Sequence, residues 1–227
     1  MRGLDKYESI YGIPLREALA GLPGQRTITP ETRLFFRHDI ASFALGVAYR
    51  SLEEPRRRIL CLCIGTGAGS AFLENGKLLT RDPRVPDQGW IYCYPFRGAV
   101  IDDWISARGL ECLAVRAGFA PGTTGKELYR LASEGDPAAR GIWRTFGGMI
   151  AEAMIPFIRS FRPQELLFGG QIAAAMPYFG PAVREALPDL LLASVEDTSE
   201  STFRGLYLAL KEEETEEECC VSVSPEE

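Results

Sequence analysis

The sequence predicts an α/β protein. Short apolar runs of strand length, residues 59–64 (ILCLCI) and 166–168 (LLF), alternate with longer segments of helical periodicity. Each run leads directly into glycines. The longest helical signal places Ile142, Phe146, Met149, Ile150, Ala153, Met154, Phe157, Ile158 and Phe161 at steps of three and four.

Residues 5–21 mix Leu, Ile and Tyr with charges at helical spacing, broken by Gly12 and Pro14, which predicts one or two short helices. A turn-rich stretch follows, and Leu34-Phe35-Phe36 reads as a short buried strand. Residues 40–49 are helical in pattern. After a polar break, ILCLCI is a buried strand, Gly65-Thr66-Gly67-Ala68-Gly69 a loop, and residues 70–74 a second strand. Asn75-Gly76 is a tight hairpin turn. Residues 80–98, rich in Pro, Gly and aromatics, are irregular. Residues 99–108 read as a helix stopped by Gly109. Residues 126–133 form another.

Asp136 suits the N-cap of the long helix and Pro137 its first position, and Pro156 should kink it. Gly147-Gly148 costs a helix ~1 kcal/mol per residue relative to Ala, which points to close packing there. Residues 166–168 are then a strand ending in Gly169-Gly170, residues 172–176 start a helix, and 181–187 form another. A strand at 190–195 and a last helix at 202–210 precede a glutamate-rich stretch, which reads as a solvated tail from Lys211.

The 227 residues are 46% hydrophobic, enough for a sizeable core, and carry a net charge of −6. Such an acidic chain disfavours broad nucleic-acid binding. There is no run of 18 apolar residues, so no membrane span is expected. MRGLDKYESIYG has no apolar signal region, and a cytoplasmic location is expected. The six cysteines are scattered without a C-x-x-C pair, and His38 is the sole histidine, so no zinc site is expected.

Four segments, in order over about residues 5–210, resemble the ROK family (repressor, open reading frame, kinase). His38-Asp39-Ile40-Ala41-Ser42-Phe43-Ala44-Leu45-Gly46 is similar to the family's Asn-Asp-Ala…Leu-Gly-Glu segment, with His38 in place of Asn and Val47 in place of the closing Glu. The resemblance implies that Asp39 is the general base for a sugar hydroxyl and that position 38 binds the sugar. Read alone, Asp39 is a helix N-cap. Ile64-Gly65-Thr66-Gly67-Ala68-Gly69-Ser70 resembles a phosphate loop, in which Gly65, Thr66 and Gly67 would hold phosphate; read alone it is a glycine-rich hairpin corner.

Asp87-Gln88-Gly89-Trp90 stands where the family has Glu-x-Gly-His, so the resemblance implies sugar contacts from Asp87 and Trp90. The family's zinc-binding His and cysteine cluster have no counterpart. Asp102-Asp103-Trp104-Ile105-Ser106 resembles an acidic–aromatic–Ser helix, but a packing helix with a solvated acidic face is the plainer reading. The last segment is Leu167-Phe168-Gly169-Gly170-Gln171-Ile172, similar to the family's adenosine-side turn, with Gly169, Gly170 and Gln171 facing nucleotide. Its bare reading is a tight strand-to-helix turn.

The resemblance implies the actin-like ATPase (ribonuclease H-like) fold. An incomplete N-terminal lobe remnant is expected over 1–57, a C-terminal lobe over 58–210 and an acidic tail over 211–227. The family's Asp-x-Gly-x-Thr phosphate hairpin does not occur in the sequence. The implied activity is ATP-dependent phosphorylation of a hexose or amino sugar with Mg²⁺, in a homo-oligomer. The alternative is a non-catalytic sugar-sensing homologue.

Overall fold

Five strands form the central sheet. β1 (Arg58–Ile64), β2 (Ala68–Glu74) and β3 (Lys77–Leu78) make an antiparallel meander. β6 (Glu165–Gly169) and β7 (Leu191–Ser194) pair parallel to β1 and to each other, in the order β3-β2-β1-β6-β7. β4 (Pro95–Phe96) and β5 (Ala99–Val100) form a separate two-stranded hairpin. The computed structural model describes residues 12–24, 27–29, 32, 34–50, 57–195 and 197–221. The expected helical residues 5–11 lie outside that set.

The chain divides into two units, Met1–Arg37 and His38–Glu227. The first holds α1 (Leu15–Ala20), in which no residue is buried. Leu34-Phe35-Phe36 is not a strand: Phe35 is 49% exposed and Phe36 62%. A strand exists only through a neighbouring strand, and no strand pairs with this segment among the described residues. The second unit contains α2 (Asp39–Arg50) together with the sheet.

Alternation along β1 sends its side chains to two cores. Leu60, Leu62 and Ile64 join Phe72, Leu166 and Phe168 on one face. Ile59 and Cys61 join Ala71, Leu73 and Leu167 on the other. Both faces are covered, which is why β1 and β6 read as unbroken apolar runs. The first face packs against α6 (Pro137–Phe161), through Phe146, Ile150, Met154 and Phe161, and against α7 (Met176–Ala186), through Phe179 and Val183. The second packs against Ile40, Phe43, Ala44 and Val47 of α2. Val47, in the position of the family's Glu, is thus a core residue.

Asp136 caps α6 as expected, its carboxylate accepting the Ala139 N–H at 2.7 Å. The helix is continuous through Pro156. Gly147 sits where a Cβ would lie 2.2 Å from the Phe179 carbonyl oxygen, while a Cβ at Gly148 would meet nothing. α7 is one helix through Pro181, entered by a 3-10 turn at Gln171–Ala175, where the sequence suggested two helices.

The expected helix at 99–108 is divided. β5 leads into α3 (Ile101–Trp104), and Ser106 caps a new helix, α4 (Ala107–Arg116), by accepting the Gly109 N–H. Gly109 does not stop a helix. It is buried in the first turn of α4, where a Cβ would lie 2.0 Å from the Trp104 carbonyl oxygen. α5 (Gly125–Ser133) is capped by Thr124. α8 (Thr198–Val221) runs into the glutamate-rich stretch. α8 crosses α2 through small residues, with Ser42 and Gly46 facing Ser201 and Gly205.

Candidate functional site

Parallel pairing puts the C-terminal ends of β1 and β6 side by side, with Cys63 opposite Gly169. The two glycine segments singled out in the sequence therefore meet. Gly65-Thr66-Gly67 follows β1, and Gly170 follows β6. Gly170 has φ 83° and ψ 173°, a region essentially reserved for glycine. A Cβ there would lie 2.4 Å from the Ile64 carbonyl oxygen, and one at Gly169 would lie 2.7 Å from both Cys63 Sγ and the Phe43 ring. The Gly170 N–H donates to Thr198 Oγ1 at 3.0 Å, which ties the turn to the start of α8.

These contacts make Gly170→Ala destabilising by about 2 kcal/mol, from backbone strain alone. Urea unfolding of the purified variant checks it. A midpoint equal to the parent's would mean that the turn relaxes freely.

The glycine loop is held from one side. The Gly65 N–H donates to the Gly67 carbonyl at 3.0 Å, and the Gly65 carbonyl accepts the Ala107 N–H at 2.8 Å. The Ala68 N–H donates to Asp102 Oδ1 at 2.7 Å. Thr66 is exposed at the tip. Asp102 was not a sequence candidate. Two adjacent aspartates look alike in the sequence, but Asp102 points to the loop while Asp103 accepts the Val100 N–H at 3.3 Å. Thr198 was missed too; its signal was an Asp-Thr pair before a helical pattern.

Asp39 is in the first turn of α2. The His38 carbonyl accepts the first helical N–H, from Ser42 at 3.1 Å, so His38 and not Asp39 is the half-in residue at the helix start. Asp39 Oδ1 accepts the adjacent Ile40 N–H at 2.8 Å, and lies 3.0 Å from His38 Nδ1. Its side chain is 87% exposed. α2 crosses the site end of the sheet, with Ile40 against Gly69 and Phe43 against Gly169.

The His38 ring lies 5.5 Å from the Trp90 ring, and Trp90 lies 6.1 Å from Tyr92. The Asp87–Gly89 turn that carries Trp90 is fastened to β2 by Ser70, whose hydroxyl donates to the Gly89 carbonyl at 2.6 Å and accepts the Ile91 N–H at 3.0 Å. The structure so brings His38, Asp39 and Trp90 into one group. Asp87 is exposed at the start of the turn, and Gln171 is exposed just after Gly170.

Cys63 lies beside this group. Burial first, and then the Asp39 charge, push its thiol up to about 12. Burial raises the Cys61 thiol as well. A raised thiol pKa keeps the sulfur protonated: near pH 8, a value of about 12 leaves a thiolate fraction of about one in ten thousand. Iodoacetamide at pH 8 should therefore label the exposed Cys93 and Cys112 and spare Cys61 and Cys63 until denaturant is added. Peptide mapping by mass spectrometry reads the order.

Among the described residues, no group of three His, Cys, Asp or Glu side chains is placed to hold a metal ion, and no helix is long and apolar enough to cross a membrane.

The fold is that of the actin-like ATPases. It matches the ROK hexokinase from Thermus thermophilus with a TM-score of 0.60 at 22% identity, over 78% of this chain and 66% of that one. It also matches a ROK family glucokinase from Streptomyces griseus, solved in complex with glucose and AMPPNP, with a TM-score of 0.60 at 16% identity, over 74% and 65% of the two chains. The chain belongs to the ROK family, whose model matches residues 26–204. Among curated relatives it is 27% identical over 215 residues to a glucokinase from Thermotoga maritima, covering 84% of this chain and 64% of that protein. It is 25% identical over 178 residues to an N-acetyl-D-glucosamine kinase from Haemophilus influenzae, covering 70% and 58%. The chain thus spans less than two thirds of the length of either relative.

Proposed function

We propose that this chain is a sugar kinase of the ROK type, transferring the terminal phosphoryl group of ATP to a hydroxyl of a hexose or amino sugar. The observation that carries this reading is the meeting of the two glycine segments at the ends of β1 and β6, with α2 presenting Asp39 at the same end of the sheet.

Phosphoryl transfer is mostly positioning and charge stabilisation. In this reading the N–H groups of Thr66 and Gly67 and the Thr66 hydroxyl receive phosphate oxygens, and Gly65, without a side chain, lets them approach the loop. Gly169 and Gly170 let the nucleoside lie against backbone, with Gln171 at its edge. Asp39 takes the proton from the attacking sugar hydroxyl, whose oxygen forms the new bond to phosphorus as the bond to ADP breaks. His38, Asp87 and Trp90 face the sugar. Mg²⁺ would arrive on the nucleotide's phosphates, which suits a chain without a three-ligand cluster among its described residues.

Curated relatives described as glucokinase and N-acetyl-D-glucosamine kinase support a hexose or amino-sugar acceptor. The test is ADP release by the purified chain with Mg-ATP and a pool of glucose, N-acetylglucosamine and N-acetylmannosamine. Sugar-dependent release is expected. A folded chain that releases no more ADP with sugar than without it would overturn the reading.

A second reading, a sugar-sensing homologue without turnover, is favoured by one observation. His38 and Trp90, which replace the family's Asn and His, lie against each other. It predicts a sugar-induced rise in melting temperature with no ADP release.

A further inference from the structure

We infer that Asp102 is a positioning residue for the glycine loop, and that Arg108 neutralises it so that the loop can accept phosphate. The inference rests on the kinase reading for its ligand, but not for its geometry.

The loop between β1 and β2 has little to hold it. The β1–β2 ladder closes at Ile64 opposite Ala68, and residues 65–67 lie beyond it. Glycine at 65 and 67 removes the side-chain packing that would restrain such a turn. The restraints come instead from the α3–α4 junction, at two points. Asp102 Oδ1 accepts the Ala68 N–H at 2.7 Å, and the Ala107 N–H holds the Gly65 carbonyl at 2.8 Å. The amides of Thr66 and Gly67 find no acceptor among the described residues and remain able to donate. Gly67 is required by the same contact, because a Cβ there would lie 2.6 Å from Asp102 Oδ1.

A carboxylate this close to a phosphate loop would repel the ligand. Arg108 answers that charge: its Nη2 lies 2.7 Å from Asp102 Oδ2 and 3.5 Å from Asp103 Oδ1. The Asp102 side chain is 24% exposed and the Arg108 side chain 52%, so the pair sits at the surface edge of the loop. Asp102 therefore shapes the loop through one oxygen and is neutralised through the other.

Amide hydrogen exchange tests the tether without assuming any activity. In Asp102→Ala, exchange at Ala68 should accelerate roughly 10-fold or more, as expected for loss of a hydrogen bond to a charged acceptor, while Leu60 and Leu62 in β1 keep their protection. Asp102→Asn retains an acceptor oxygen and should recover part of the protection at Ala68. Asp103→Asn should leave that amide as it is. In the turnover assay, Asp102→Ala should raise KM for ATP and leave KM for sugar unchanged. Arg108→Ala should weaken ATP while Ala68 stays protected, which separates neutralisation from tethering.

Unchanged exchange at Ala68 in Asp102→Ala, or parallel acceleration of Ala68 and the β1 amides, overturns the positioning role. Unaltered ATP affinity in Arg108→Ala overturns the neutralising role. If the parent chain binds no ATP by calorimetry, the nucleotide reading falls, and exchange at Ala68 still decides whether Asp102 shapes the loop.

Discussion

Gly205→Val should leave the chain largely unfolded, or cost it about 3 kcal/mol or more where it still folds. A Cβ at Gly205 would lie 1.7 Å from the Ser42 carbonyl oxygen and 2.8 Å from the Gly46 N. A Cβ at Gly46 would lie 1.8 Å from the Ser201 carbonyl oxygen. These are backbone atoms, so no rotamer change relieves the overlap. α2 and α8 would have to move apart, and α2 carries Phe43, Ala44 and Val47 into the second core. Against a total stability of about 5–15 kcal/mol, such a loss is a large fraction. Urea unfolding followed by circular dichroism measures it. Gly148→Ala in α6 is the control: a Cβ there meets nothing, and helix propensity predicts a gain of up to about 1 kcal/mol. A Gly205→Val midpoint near the parent's would show that the helices do not cross as closely as described.

Asp39→Asn should abolish sugar-dependent ADP release and leave the fold untouched. General-base catalysis contributes typically 10²–10⁴-fold, and the amide cannot take a proton. The side chain is 87% exposed and its contacts, the Ile40 N–H and His38 Nδ1, are with its two chain neighbours, so its replacement costs little stability. The melting temperature should stay within a degree or so, since surface changes of this kind stay within about 0.5 kcal/mol. Affinity for ATP should also hold, because Asp39 is not among the groups assigned to phosphate. Turnover retained in Asp39→Asn would refute the base assignment. Turnover absent from the parent and the variant alike would favour the sensing reading.

Much of the site was legible from local chemistry. ILCLCI, the G-T-G-x-G loop and Asn-Gly mark a strand, a corner, a second strand and a turn, all within about twenty residues. Asp136 and Pro137 mark the start of the long helix for the same reason. What could not be read depends on partners distant in the chain. Leu34-Phe35-Phe36 has strand composition, yet a strand needs an edge to pair with. Gly46 and Gly205 look like ordinary helix glycines until the two helices cross. Asp102 and Asp103 are one charge run in the sequence, and only the fold shows that Asp102 meets the loop while Asp103 accepts the Val100 N–H. Gly109 looked like a helix stop because a glycine at a stop and a glycine in a crowded first turn are the same letter.

The β1–β6 pair has a consequence for folding order. It joins segments 106 residues apart, as the Arg58 N–H to Gln164 Oε1 bond at its edge shows. Closing so long a loop costs entropy that local turns do not offset, so this pairing belongs to the late, cooperative step of folding. Neither glycine segment has its neighbour before that step. The surface that the two segments form together therefore arises with the native core. A ligand held there would act on the native state alone, and would stabilise the chain by RT ln(1 + [L]/Kd).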